Sequence, residues 1–93
     1  MTDSLISNER RCVVCHREGD LHLHHIFGGP NRRLSTQDGC WCWLCPRHHN
    51  LSNEGVHFDR RLDLILKKTC QRRWEETKGD REAFRQRYGK SYL

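Results

Sequence analysis

Two adjacent-histidine doublets sit inside a frame of cysteines, and this arrangement constrains the chain more than any other feature. Cys12-Val13-Val14-Cys15 comes first, then His24-His25, then Cys45-Pro46-Arg47-His48-His49, and last His57. Six of the seven histidines lie between positions 22 and 57. Thiolate with imidazole is a zinc donor set, and histidine is the commonest metal ligand. One tetrahedral ion takes four donors, and further histidines stand beside them. A metal that only fastens a fold has no use for those extra imidazoles.

The chain also needs fastening. Its 93 residues suit one domain, 34% of them are apolar, and the mean hydropathy is -0.97. So small and polar a domain buries little apolar surface and calls for a staple, either disulfides or a metal. Six cysteines would suit a disulfide framework in a secreted protein. Residues 1–11, MTDSLISNERR, carry no apolar signal region. No stretch approaches the roughly 20 apolar residues that span a bilayer. The reading is a cytoplasmic chain with reduced thiols, no membrane association and a metal staple. A net charge of +5 and a pI near 9.1 favour an anionic partner, nucleic acid first. The alternative is a generic basic surface.

Local signals order the elements. Residues 1–9 are polar and are expected to fray. Cys12 to Cys15 reads as a knuckle, closed by Gly19-Asp20. Leu21, Leu23 and His25 alternate with His22, His24 and Ile26, a short strand pattern. Gly28-Gly29-Pro30-Asn31 breaks it, and a basic polar loop is expected through Gly39. Trp41 to Leu44 suits a second strand. Pro46 suits the first turn of a helix carrying His48 and His49 and ending near Gly55. From Phe58 the apolar positions Phe58, Leu62, Ile65, Leu66, Cys70 and Trp74 form a helical stripe, with Asp59 as N-cap. Gly79 breaks that helix. Asp80 caps a second one, which carries Phe84 and Tyr88 on one face and ends at Gly89, before an apolar Tyr92-Leu93 tail.

The donor spacing predicts two metal centres. Cys12 and Cys15, with Cys45 and His48 about 30 residues later, have the paired two-residue gaps of a structural zinc site. Such a site contributes on the order of 10 kcal/mol to folding. A rival set replaces His48 with Cys42, since Cys42-Trp43-Leu44-Cys45 is also a Cys-x2-Cys pair. Cys40 and Cys70 read as small buried hydrophobes. His24 and His25 are neighbours on a strand and point to opposite faces, so one can bind metal while the other meets a substrate. His49 is about 100° around a helix from His48, away from the zinc. His57 could close the second centre. His16 and His22 read as ordinary surface or core residues. Arg32, Arg33 and Arg47 flank the site and could hold phosphates, or they are solvated loop charges.

These residues resemble a known family. Leu23-His24-His25-Ile26, a loop, then Leu44-Cys45-Pro46-Arg47-His48-His49 looks like the HNH endonucleases with the ββα-metal fold, over residues 12 to about 57. His24-His25-Ile26-Phe27-Gly28-Gly29, with Leu44-Cys45-Pro46 and the Phe84 to Tyr88-Gly89 segment, is similar to small phage-encoded HNH proteins. It resembles more weakly the RecA-dependent recombination-enhancement nucleases of phages. The resemblance implies that His24, His49 and His57 hold a catalytic divalent cation (Mg2+, Mn2+, Ni2+ or Zn2+). It implies that His25 is the general base. The family's middle asparagine, which orients that base, falls near Gly39-Cys40, where this chain has none; Asn31 and Asn50 are candidate substitutes.

The expected fold is α+β, in a single domain over 1–93. A zinc-stapled, treble-clef-like ββα-metal core covers 10–57, and a helical hairpin covers 58–93. The expected function is a metal-dependent DNA endonuclease of phage or prophage type, serving recombination or DNA processing, with DNA and a recombinase or other phage protein as partners. The alternatives are a catalytically inactive zinc-stabilised DNA-binding module and a recombination adaptor.

Overall fold

A short antiparallel hairpin organises the molecule. The computed structural model describes residues 2–51 and 55–93, an α+β arrangement. Its elements are β1 (His22–His25), a 3-10 turn (Gly29–Asn31), α1 (Arg32–Asp38), β2 (Trp41–Leu44), a π-helical turn (Arg47–Leu51), α2 (Arg60–Thr77) and α3 (Arg81–Tyr88). β1 pairs with β2 in the register His22 to Leu44, Leu23 to Trp43, His24 to Cys42 and His25 to Trp41. Alternation along β1 sends His22 and His24 to one face.

The segment expected to be a polar loop is a helix. α1 holds one large apolar residue, Leu34, so it has no periodic stripe to betray it. Polar contacts hold it in place. Ser35 is fully buried, and its hydroxyl accepts from the Phe27 amide at 3.1 Å and donates to the Phe27 carbonyl at 2.7 Å. Gly39 ends the helix in the left-handed conformation, with φ of 79°. Asp38, in the last turn, lies where the helix dipole disfavours a carboxylate. Four hydrogen bonds offset that: from Trp74 Nε1 at 2.9 Å, Tyr88 Oη at 2.6 Å, and Arg87 Nε and Nη2 at 2.6 and 2.9 Å. One carboxylate thus ties α1 to α2 and α3.

The two C-terminal helices follow their sequence signals. Asp59 caps α2 by accepting from the amides of Arg61 and Leu62, and Asp80 caps α3 by accepting from Ala83. Leu66, Cys70 and Trp74 are buried as the stripe requires. Phe58 and Ile65, which the stripe also included, are exposed: Phe58 precedes the N-cap, and Ile65 sits one step off the buried line. Phe27, directly beyond the hairpin, meets Phe84 and Tyr88 at ring-centroid distances of 5.3 and 4.7 Å. Burying such a side chain fully contributes about 1.5–3 kcal/mol, and this aromatic group seals the hairpin to α3.

The N-terminal segment is anchored, contrary to the expectation of fraying. The Leu5 amide donates to the Gly39 carbonyl at 2.8 Å, Trp41 Nε1 donates to the Thr2 carbonyl at 2.9 Å, and Arg73 Nη1 donates to the carbonyls of Leu5 and Ile6. Leu5 and Ile6 pack on the core, so two apolar residues in a polar stretch suffice to dock it. The helix expected to run from Pro46 to Gly55 is instead a five-residue π-helical turn, with 52–54 outside the described residues. Among the described residues, no helix is long and apolar enough to cross a membrane.

Candidate metal centres

The first cluster joins the N-terminal knuckle to the π-helical turn. Within the knuckle the His16 amide bonds the Cys12 carbonyl at 2.8 Å, and His16 closes the turn with φ of 63°. Cys12, Cys15, Cys45 and His48 bring one donor atom each to within 4.8 Å of one another. Cys15 Sγ lies 3.7 Å from Cys45 Sγ, and His48 Nδ1 lies 3.3 Å from Cys45 Sγ and 3.7 Å from Cys12 Sγ. Zinc bonds of about 2.3 Å to sulfur and about 2.0 Å to nitrogen, at tetrahedral angles, place neighbouring donors about 3.5–3.8 Å apart. The spacings fit that ion. Burial raises the Cys12 thiol, but bonds from the backbone at Cys45, Cys15 and Val14 more than offset it and lower it to about 6. Cys12 is therefore ready to act as thiolate near neutrality.

Cys42, the rival donor, lies elsewhere. It is fully buried in β2, and burial followed by the neighbouring Cys12 raises its thiol to about 12. The donors that converge are Cys12, Cys15, Cys45 and His48, without Cys42. Cys40 and Cys70 are also fully buried, and Cys40 Sγ lies 3.5 Å from Tyr88 Oη.

The second cluster lies on the other side of the same turn. His24 from β1, His49 from the turn and His57 beyond it bring donor nitrogens within 4.8 Å of one another. His49 Nε2 and His57 Nε2 are 3.1 Å apart. His24 is 6% exposed, and its Nε2 is buried without a hydrogen-bond partner among the described residues. Such an atom costs about 1–3 kcal/mol unless something satisfies it, and a cation facing His49 and His57 would. Burial, then the neighbouring His49 and His57, lowers His24 to about 4. Burial likewise lowers His49, followed by His57 and His22. Neutral imidazoles are the form that binds metal.

The backbone explains how His57 arrives. The Val56 amide donates to the His48 carbonyl at 2.7 Å, and the His57 amide to the His49 carbonyl at 3.3 Å. A Cβ on Gly55 would stand 2.8 Å from the His49 carbonyl oxygen, so this close approach requires glycine.

A cavity of about 280 Å³ opens onto this cluster, lined also by His25, Gly28, Gly29 and Arg32. His25 is half-buried; burial and the charge of Arg32 hold it below the usual imidazole value. Of the three arginines singled out in the sequence, Arg32 lines the cavity, whereas Arg33 and Arg47 lie on exposed surface. Of the candidate substitutes for the missing asparagine, Asn31 has its side chain engaged away from His25. Asn31 Nδ2 donates to the Tyr88 carbonyl at 2.9 Å, and Asn50 is exposed. Ser35 instead clamps the strand exit at Phe27, two residues beyond His25.

Sequence reasoning passed over His22, whose Nδ1 lies 2.9 Å from His49 Nδ1. The signal was present: His22 and His24 are two apart on a strand and share a face. No family model matches the chain, and no curated protein or solved structure does so either.

Proposed function

We propose that this protein is a metal-dependent DNA endonuclease of the HNH type, with a treble-clef-like ββα-metal core, in which Cys12, Cys15, Cys45 and His48 hold a structural zinc. The observation that carries this reading is the buried His24 Nε2, which has no hydrogen-bond partner among the described residues, on a ring clustered with His49 and His57 in a cavity that also presents His25 and Arg32. A divalent cation held by His24, His49 and His57 would supply Lewis acidity toward a phosphoryl oxygen and stabilise the leaving 3′-oxygen. His25, held below the usual imidazole value, is neutral near pH 7 and accepts the proton of the attacking water. Arg32 holds a phosphate oxygen at the cavity mouth through its guanidinium. The net charge of +5 suits a polyanion. Three imidazoles without a carboxylate favour zinc, nickel or manganese over magnesium. Free thiols at all six cysteines suit a reducing cytoplasm. A phage or prophage role in DNA processing or recombination, alongside a recombinase, belongs to this reading.

Plasmid nicking tests it. Cleavage should appear with a divalent cation, vanish with EDTA, and vanish in His25→Ala with both clusters still loaded. Wild-type rates in His25→Ala would remove the assignment. A second reading, a zinc-stabilised DNA-binding module or recombination adaptor without catalysis, is favoured by the commitment of Asn31 to Tyr88. Salt-dependent DNA binding with no product under any divalent cation would select it.

A further inference from the structure

His49 meets three other imidazole rings, those of His22, His24 and His57, and its two nitrogens face different neighbours. Nε2 lies 3.1 Å from His57 Nε2, within the donor cluster. Nδ1, across the ring, lies 2.9 Å from His22 Nδ1. The His22 and His49 ring planes cross at 82° with centroids 5.1 Å apart. That separation is close to the nitrogen–nitrogen distance plus the two ring radii, so each Nδ1 points within its own ring plane at the other.

We infer that His22 is a positioning residue: its Nδ1 accepts the Nδ1 proton of His49 and so fixes the tautomer and orientation in which His49 presents Nε2 to a cation. The inference rests on the proposed second centre and deepens it.

Proton counting leads to one arrangement. A neutral imidazole carries one N–H and one lone pair. A nitrogen–nitrogen contact of 2.9 Å needs one donor and one acceptor. With the Nε2 lone pair of His49 given to a cation, its proton must sit on Nδ1, which then donates to His22. The His22 proton is left on its own Nε2. No other neutral pairing satisfies both nitrogens of His49. Partners of this kind raise the basicity of a ligand histidine and hold its ring, and losing one costs about 10–100-fold in metal affinity. Histidine suits the task on this strand because β1 alternation turns His22 and His24 to the same face: one residue provides the ligand and the other its support.

The test is a Co2+ titration of the full chain with its cysteine cluster already loaded with zinc, read by visible absorption. His22→Leu removes the acceptor, whereas His22→Asn restores one at the position of Nδ1. The expected result is a second-site affinity about 10–100-fold weaker in His22→Leu and largely recovered in His22→Asn, with zinc content and melting temperature unchanged before cobalt is added. Wild-type cobalt affinity in His22→Leu would overturn the inference. So would equal weakening in both variants, or a fall in melting temperature shared by both, since either outcome assigns His22 to packing. A wild-type chain that takes up no cobalt would remove the second centre and this inference together. Cobalt uptake with His22→Leu unchanged removes the inference alone.

Discussion

The two donor clusters lie on either side of one five-residue turn, yet they are built in opposite ways. The cysteine cluster gathers three thiols and one imidazole, enough donors from the chain to fill all four positions of a tetrahedral ion. The histidine cluster gathers three imidazoles and opens onto a cavity shared with His25 and Arg32. Closed coordination suits an ion that holds a fold, whereas three ligands leave a position for water or substrate. On the proposed reading the first cluster serves stability and the second chemistry, and each role can be broken separately.

The largest effect should come from the closed cluster. Cys12→Ala is expected to lose several kcal/mol, tens of degrees in melting temperature, together with its zinc. His57→Ala should keep the fold and zinc and lose only the second ion. Thermal melts with a metal count check both, and a Cys12→Ala protein with full zinc and an unchanged melt would reverse the assignment. Next, His25→Ala should slow DNA cleavage by about 10²–10⁴-fold without altering either metal count; single-turnover assays measure it.

A third effect concerns α1, which presents Arg32 to the open cluster. Burial raises the Asp38 carboxyl, but hydrogen bonds from Arg87, Tyr88 and Trp74 more than offset this and hold it below its ordinary value of 3.8. A carboxylate lowered in the folded state stabilises at pH above its unfolded value, and the contribution disappears as the pH falls through the folded one. Asp38→Asn should therefore cost about 3 kcal/mol at neutral pH. The gap to the wild type should be full above pH 3.8 and shrink as the pH falls from there toward the lower, folded value. Urea unfolding across pH checks this, and a gap that stays constant into acid would show that the charge is not what ties the helices. The smallest effect tests the knuckle. His16 holds φ of 63°, a conformation costing about 1 kcal/mol for most residues. His16→Gly should raise the melting temperature by a few degrees with zinc content unchanged.

Sequence legibility followed the kind of force involved. β2, the Asp59 and Asp80 caps and the breaks at Gly79 and Gly89 were readable because each rests on side chains within a few residues. Spacing narrowed the donors of both clusters, since metal geometry restricts which gaps can work, but it left Cys42 open against His48, and only the family resemblance chose His24 over His25. α1 was not readable, because Ser35 and Asp38 are held by Phe27, Trp74, Arg87 and Tyr88, up to 50 residues away. Nor was the role of His22, since the strand pattern gives its face but not the ring that meets it. The anchoring of residues 2–9 depended on Trp41, Gly39 and Arg73, all distant in the chain.

His48 and His49 are consecutive in the Arg47–Leu51 turn and face different clusters. On the proposed two-centre reading, one short piece of backbone is ordered once on behalf of both cations. Conformational freedom surrendered when the first cation arrives need not be surrendered again for the second. Capture at the two clusters should then be mutually reinforcing, and by reciprocity each ion tightens the hold on the other by the same factor. A chain built this way would still hold its first metal with the second cluster empty, but would yield it to a chelator more readily.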